Sequence, residues 1–375
     1  MNDWQTVKLK EIAYVHKAAW KVGDKKSAYV GLEHIIENNL RLSSFGCSSL
    51  VASNKFTFDA GDTLFGKLRP YFRKVVKPDF HGVCSTDIWV IKPKNGIDKN
   101  FLFYFFANQE LVDIATLSSG GTRMPRADWN FLSETTWDIP LLEEQKSIAL
   151  ILSSLDDKID LLHRQNKTLE ALAETFFRQW FVEEPSDQCF EGCVLDEFDL
   201  TMGLSPPGDS YNEVFDGMPM FQGNADFGFR FPSNRVYTTD SKRVAEKFDT
   251  LISVRAPVGE QNMALEKCCI GRGVAALRYK NNKNYYTYTY FKFKSLMQEM
   301  RKFNETGTIF GSINKTDFEN FKITVPSTDM VRKFQDQVKD IDDKVILNCT
   351  KINTLIKLRD TLLPKFMSGK LHIIK

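Results

Sequence analysis

The chain has 375 residues, which is too long for one ordinary hydrophobic core, so two or more domains are expected. With 26% charged residues and no apolar run of about 18 residues, the composition excludes a membrane-spanning chain and is typical of a cytoplasmic protein. The net charge of +2 means that any binding to nucleic acid has to come from local basic patches.

Residues 1–142 alternate short apolar runs with glycine, proline and asparagine, as in a mixed α/β domain. Three runs bounded by turn residues predict strands: Leu64-Phe65, Val83 and Ile88-Trp89-Val90-Ile91. The apolar spacing over residues 101–111 predicts a helix.

Residues 143–183 are predicted to form one long helix, because no glycine or proline occurs between Pro140 and Pro185. Glu143 and Glu144 suit the positive end of its dipole. Steps of four and three residues, the period of a coiled-coil seam, connect Leu155, Ile159, Leu162, Asn166, Leu169, Ala173 and Phe176. Asn166 is a polar seam residue of the kind that fixes register.

The chain then repeats itself 186 residues later. Leu155-Asp156-Asp157-Lys158-Ile159 returns as Ile341-Asp342-Asp343-Lys344-Val345, and Ile139-Pro140 returns as Val325-Pro326. Residues 184–326 have the character of the first domain, and residues 327–375 repeat the helix, with matching seam positions at Ile341, Val345, Asn348, Ile352, Leu355 and Leu362. Such a repeat predicts a molecule with pseudo-twofold symmetry.

Each predicted helix has an apolar stripe that needs a partner, and the simplest solution is an antiparallel pair with a globular domain near each end. In the second helix, Arg359 is expected to interrupt the seam at the place of Ala173, Pro364 to mark the last turn, and Gly369 to stop the helix. A helix of 40 residues spans roughly 60 Å, so the pair could act as a ruler between the two domains.

The sharpest local feature is a basic run with interleaved aromatic residues over residues 66–77. Lysine and arginine neutralise phosphates, and arginine also grips guanine edges, although a solvated surface strand would have the same composition. Ser253-Val254-Arg255-Ala256-Pro257 occupies the equivalent place in the second copy. Gly120-Gly121-Thr122-Arg123 also recurs, as Glu305-Thr306-Gly307-Thr308, which favours contact with a DNA backbone or a structural turn over nucleotide binding.

We therefore predict two sets of DNA-contacting residues. They are Lys67, Arg69, Arg73, Lys74 and Arg123 in the first domain, and Arg255, Arg272, Thr308 and Asn314 in the second.

Catalytic patterns are absent from the sequence. None of the five histidines accompanies a nucleophile pattern, no phosphate-binding loop or Gly-x-Gly-x-x-Gly follows a strand, and no Asn-Pro-Pro-aromatic tetrapeptide occurs. The seven cysteines form no framework, and Cys189 and Cys193 lack a second ligand pair, so we predict no metal site and no cofactor.

In this order of domains and helices the chain resembles the DNA-specificity subunits of type I restriction-modification systems. Four segments carry the resemblance: residues 61–70, residues 139–145, residues 155–159, and the C-terminal run over residues 358–371, Leu-Arg-Asp-Thr-Leu-Leu-Pro-Lys-Phe-Met-Ser-Gly-Lys-Leu.

The resemblance implies an α+β fold with two globular α/β target-recognition domains in pseudo-twofold repeat (residues 1–142 and 184–326), separated by two long antiparallel coiled-coil helices (residues 143–183 and 327–375). It implies a non-catalytic subunit that reads a bipartite double-stranded DNA site and docks two methyltransferase subunits, joined by restriction/translocase subunits. S-adenosylmethionine, ATP and magnesium would belong to these partners. The alternatives are a stand-alone methyltransferase or nuclease with atypical motifs, and a coiled-coil scaffold that binds no DNA.

Overall fold

A computed structural model describes residues 4–119, 124–183, 189–305 and 312–372, with the side chains of residues 299–305 left aside. The chain divides into two compact units. The first unit consists of Met1–Asp160 and Asn353–Lys375, and the second consists of Leu161–Ile352. Over the described ranges, no helix is both long and apolar enough to cross a membrane.

The first copy of the repeat contains the following elements in chain order: β1 (Gln5–Lys8), α1 (Leu9–Ile12), β2 (Ala13–His16), β3 (Ala19–Trp20), β4 (Ala28–Val30), β5 (Gly46–Cys47), β6 (Lys55–Phe58), β7 (Thr63–Gly66), β8 (Val75–Val76), β9 (Gly82–Cys84), β10 (Ile88–Pro93), α2 (Lys99–Ala107), α3 (Gln109–Leu117), α4 (Trp129–Ser133), β11 (Thr136–Ile139) and α5 (Leu142–Arg178).

The second copy follows the same order, except that one helix, α7, stands where the first copy has α2 and α3: β12 (Phe190–Cys193), α6 (Val194–Glu197), β13 (Phe198–Met202), β14 (Tyr211–Asn212), β15 (Met218–Phe221), β16 (Tyr237–Thr238), β17 (Val244–Ala245), β18 (Thr250–Ser253), β19 (Gln261–Met263), β20 (Cys268–Ile270), β21 (Val274–Tyr279), α7 (Tyr286–Glu305), α8 (Lys315–Glu319), β22 (Lys322–Val325) and α9 (Thr328–Met367).

The sheets of the two copies have the same topology except for one edge strand: β3 pairs with β6, whereas its counterpart in chain order, β14, pairs with β16, the counterpart of β5. In the first copy, β1 pairs with β11, a four-stranded sheet has the order β2-β10-β7-β8, and a five-stranded sheet has the order β3-β6-β9-β4-β5. In the second copy, β12 pairs with β22, and the larger sheets have the orders β13-β21-β18-β19 and β14-β16-β15-β20-β17. The one parallel pairing among the described strands of each five-stranded sheet, β4 with β9 and β15 with β20, recurs at the equivalent place. The predicted pseudo-twofold α/β repeat is therefore confirmed.

The helix predicted over residues 101–111 is instead two helices, so this prediction was wrong about continuity. The Asp98 carboxylate caps α2 by accepting from the backbone N–H groups of Asn100 and Phe101. The break falls at Asn108, which is buried and has an extended backbone with ψ of 135°. Because α2 and α3 both pack apolar faces into one core, the chain has to change direction between them.

In the second unit, the later part of α5 and the earlier part of α9 run antiparallel. Asn166 and Asn348 are both fully buried, and the Asn348 Nδ2 donates to the Asn166 Oδ1 at 2.9 Å. Eleven residues further along α5, Phe177 contacts Phe334, which lies earlier in α9, with ring centroids 5.6 Å apart. The seam buries Phe177 rather than the predicted Phe176, because the helix here faces the globular core as well as α9.

In the first unit, the start of α5 and the end of α9 also run antiparallel. The Arg359 guanidinium reaches the Asp156 carboxylate at 2.7 Å, and the His372 Nδ1 lies 3.2 Å from the Glu144 carboxylate. Arg359 is fully buried and does not interrupt the seam, contrary to the sequence-based expectation, because Asp156 on the facing helix neutralises it. Pro364 lies inside α9, and Gly369 follows the helix with φ of 66°.

Each unit has its own hydrophobic core, to which the long helices contribute. In the first unit, Leu152 of α5 and Phe366 of α9 join a cluster that includes Phe101 and Phe106 of α2. In the second unit, Ala173 and Val338 join a cluster with Phe198 and Phe293. The helices are therefore integral parts of the units and not separate rods.

A buried carboxyl group lies in the core of the second unit. Glu197 is only 4% exposed, and its Oε1 accepts from the Tyr288 hydroxyl at 2.6 Å. Burial raises the pKa of Glu197 to about 7, although Lys292 and the Tyr288 hydroxyl oppose the shift.

The buried asparagine pair generates a test of the seam. Replacing Asn166 alone with Leu should lower the free energy of unfolding by about 1–3 kcal/mol, because the Asn348 amide loses its partner in a dry interface. Replacing both Asn166 and Asn348 with Leu should recover most of that loss. Urea unfolding of the four proteins in a double-mutant cycle measures the coupling, and strictly additive losses would contradict a direct pair.

Glu197 predicts a pH dependence of stability. Because the pKa of the folded state lies above the ordinary value of 4.5, the stabilisation is fully present below that pH and is lost as the pH rises through 7. The free energy of unfolding should therefore fall by about 3 kcal/mol across this window because of this one group. Glu197→Gln should be the more stable protein at pH 8 and equal to wild type near pH 5. Parallel pH profiles for the two proteins would refute this.

Candidate nucleic-acid interface

The predicted basic run forms a tight turn after β7. Pro70–Phe72 makes one turn of 3-10 helix, and the residues on both sides, Arg69 and Arg73, have left-handed backbones with φ of 50° and 46°. The turn is anchored to the segment before α4, because the Arg69 N–H donates to the Pro125 carbonyl at 2.7 Å and Leu68 bridges Arg126. The backbone at this place is therefore held in one conformation.

Two of the predicted contacts in this run point into the protein. The Arg73 Nε donates to the carbonyl of Ala107, the last residue of α2, at 2.7 Å, and a terminal guanidinium nitrogen lies 3.4 Å from Asp360. Burial lowers the pKa of Arg73, and Asp360 opposes that shift. The Lys74 Nζ donates to the Leu32 carbonyl at 2.9 Å. These bonds satisfy backbone acceptors inside the first unit, so Arg73 and Lys74 have a structural role here.

Lys67 and Arg69 are placed differently. Lys67 is half-buried and Arg69 is exposed, and among the described residues neither side chain has a hydrogen bond or an ion pair. Tyr71, beside them, is 45% exposed. Arg123 lies outside the described residues, as does the surrounding glycine turn. Lys67 and Arg69 are thus the two predicted contacts in this turn whose charges face solvent.

The second copy places Arg255 at the corresponding turn. The Lys67 N–H donates to the Asp87 carbonyl and the Val254 N–H to the Gly273 carbonyl, both at 2.9 Å. The backbone of Arg255 forms an isolated antiparallel β-bridge with Ser312, as the backbone of Leu68 does with Arg126. Arg255 follows β18 by two residues and Arg69 follows β7 by three, and both side chains are exposed. One backbone frame therefore presents an arginine in each copy.

The other predictions in the second copy have mixed outcomes. Arg272 is exposed, and its Nε lies 3.4 Å from the Ser205 hydroxyl, a neutral partner. Asn314 is the N-cap of α8, where its Oδ1 accepts from the Asp317 N–H at 2.9 Å and its Nδ2 donates to the Asp317 carboxylate. A capping side chain is committed to its own helix, so Asn314 is a weak candidate. Thr308 lies outside the described residues.

Within the ranges that the structure describes, no three His, Cys, Asp or Glu side chains lie close enough together to hold a metal ion. The ionic features that sequence reasoning missed lie at the helices, where Asp156, Asp342 and Arg230 are paired with opposite charges. The sequence did contain a sign of the two aspartates, because Asp156 and Asp342 occupy equivalent positions in the two copies of the repeat. No local pattern marked Arg230.

Comparison with known proteins defines the class. The family model of the type I restriction modification DNA specificity domain matches residues 1–171 and again residues 233–358. The chain therefore belongs to this family.

The matches extend to full-length relatives. The chain is 28% identical, over 99% of its length and 94% of the relative's, to a putative type I restriction enzyme MjaX specificity subunit from Methanocaldococcus jannaschii. It is 22% identical to the HindI specificity subunit from Haemophilus influenzae, over 99% of this chain and all of that one. The type I S subunit from M. genitalium shares the fold, with a TM-score of 0.59, 16% identity, and coverage of 98% of this chain and 96% of that one.

These matches confirm the resemblance inferred from the sequence. The chain is a type I restriction-modification specificity subunit, and specificity subunits are the non-catalytic recognition subunits of these systems.

The two arginines of the first turn generate a stability test. Arg73→Ala should lower the free energy of unfolding by about 1–3 kcal/mol, because the buried Ala107 carbonyl loses its donor and Asp360 keeps only Arg359. Arg69→Ala should change it by less than about 0.5 kcal/mol, because the side chain is solvated in the folded state. Urea unfolding measures both, and equal losses would contradict the different placements.

Proposed function

We propose that the chain binds double-stranded DNA at a bipartite site, with the first globular domain reading one half and the second reading the other. The observation that carries this proposal is the exposed arginine at the same anchored turn of both copies, Arg69 and Arg255. Lys67 and Arg272 add positive charge near these turns. Phosphate contacts would position each domain, and contacts to base edges would specify the sequence.

The difference between the two turns supports two different half-sites. The first turn presents Lys67 and Arg69 beside the exposed Tyr71, whereas the second presents Arg255 followed by Ala256 and Pro257. The shared backbone frame would let both domains approach the DNA backbone in the same way. The different side chains would then read different bases in the two half-sites. The long helices would set the gap between the half-sites.

We further propose that the helices dock two methyltransferase subunits. Leu161 and Leu172 on α5 are 39% and 43% exposed, and their repeat equivalents on α9, Leu347 and Leu358, are 46% and 44% exposed. Apolar residues repeated at the same helical positions fit two copies of one partner. Restriction/translocase subunits would join this complex in the cytoplasm, and S-adenosylmethionine, ATP and magnesium would be bound by the partners.

Selection from random duplex DNA tests the proposal. The chain, assembled with its methyltransferase subunits, should enrich one motif with two defined parts and a gap of fixed length. An ungapped motif would contradict the bipartite reading. Absence of any enriched motif would support the scaffold alternative, and cleavage or methylation by the chain alone would support an enzyme.

The two exposed arginines predict separable effects on that motif. Arg69→Ala should relax or weaken the first half-site only, and Arg255→Ala the second half-site only, each by about 1–3 kcal/mol, if the guanidinium contacts a base. Each variant serves as the control for the other, because both remove one exposed charge from the same backbone frame. Equal weakening of both half-sites by either variant would show a general electrostatic effect.

A further inference from the structure

A fully buried arginine joins the second globular domain to both long helices within the second unit. Arg230 lies between β15 and β16, in the segment that carries the five-stranded sheet. Its guanidinium stacks 3.7 Å from the ring centroid of Tyr290 on α7. One terminal nitrogen lies 3.1 Å from the Asp342 carboxylate of α9, and the other lies 3.4 Å from the Glu170 carboxylate of α5.

The groups around Arg230 leave it no access to solvent. Asp342 is also fully buried and accepts from the Thr287 hydroxyl at 3.0 Å. Lys294 of α7 reaches Glu170 at 2.5 Å and Glu174 at 3.0 Å. Removing one member of such a buried set leaves an uncompensated charge, which is strongly destabilising. The second domain therefore contributes the cation that both helices need here.

The equivalent place in the first unit is built differently. Asp156 is the repeat equivalent of Asp342, but its cation is Arg359 on α9 at 2.7 Å, with a further hydrogen bond from the Tyr104 hydroxyl at 2.7 Å. The repeat equivalent of Arg359 is Ala173 on α5, which offers only a methyl group. In the first unit the two helices thus neutralise each other, whereas in the second unit neutralisation requires Arg230 from the globular domain.

We propose that Arg230 is a positioning residue that fixes the second reading domain on the helix pair and thereby restricts the gap that the subunit accepts between half-sites. This inference rests on the proposed bipartite function. Arg230 is fully buried, so it would act on the orientation of the domain and not by touching a base.

The test moves the arginine from the domain to the helix. Arg230→Ala leaves Asp342 without a cation and Glu170 with Lys294 alone, and should lower Tm. The exchange Arg230→Ala with Ala173→Arg conserves total volume and charge and places the cation where Arg359 stands in the first unit. The exchanged protein should recover Tm but should lack the tie between the domain and the helices.

The decisive measurement is binding, by the complex with methyltransferase subunits, to sites whose gap is the native length or one base pair longer or shorter. In the exchanged protein, preference for the native gap should fall by about tenfold or more, with both half-site sequences unchanged. Arg230→Lys keeps the positive charge but has one nitrogen in place of the two that reach Asp342 and Glu170. This variant should fold, and its preference for the native gap should lie between those of wild type and the exchanged protein. Phe198→Leu is the matched control, because Phe198 is fully buried in the core of the second unit among Tyr279, Tyr288 and Phe293, so the variant weakens the unit without touching Arg230 or the helix seam and should keep the native preference.

The outcomes separate this inference from the proposed function. If wild type shows no gapped site, the proposed function itself fails. If wild type reads a gapped site and the exchanged protein keeps the same narrow gap preference, Arg230 serves stability alone and the inference is overturned. Loss of gap preference in Phe198→Leu would equally overturn it, because any weakening of the unit would then suffice.

Discussion

The structure depends on one constraint, which is that polar and charged side chains buried along the long helices must find partners there. Asn166 meets Asn348, Asp156 meets Arg359, and Asp342 meets Arg230. An apolar seam alone tolerates sliding by whole heptads, whereas each of these contacts is satisfied in one register only. The helices can therefore hold a defined position in each unit, as the proposed setting of the gap between half-sites would require.

The two copies of the repeat share a backbone frame but differ in the side chains at the candidate DNA-contacting turns. The pairing of β1 with β11 recurs as β12 with β22, and the backbone hydrogen bonds that Lys67 and Val254 donate behind the two candidate turns have equal lengths. Both turns expose an arginine, but the other exposed side chains differ, with Tyr71 in the first turn and Ala256 and Pro257 in the second. Because backbone hydrogen bonds are indifferent to side-chain identity, such a frame can accept new exposed residues without loss of the fold.

The sequence predicted what depends on local pattern and on repetition. The two long helices, the strands around Leu64 and Ile88, and the pseudo-twofold order all followed from periodicity and turn residues. Apart from the strand around Val83, the strands of the two five-stranded sheets were not predicted, because each has only two to four residues and is stabilised by neighbours distant in sequence. The inward direction of Arg73 and the role of Arg230 were also missed, because their partners lie 34 or more residues away along the chain.

The asparagine pair also bears on self-recognition between copies of this chain. Because Asn348 is the repeat equivalent of Leu162 and Asn166 is the equivalent of Ile352, each polar residue has an apolar counterpart in the other copy of the helix. If α5 of one molecule packed against α5 of another in the same alignment, Asn166 would face Leu162. Its amide would then be buried in an apolar contact without a hydrogen-bond partner. The same mismatch would arise between two α9 helices, with Asn348 against Ile352. The two asparagines therefore disfavour α5–α5 and α9–α9 pairing between molecules and favour α5–α9 pairing within one molecule.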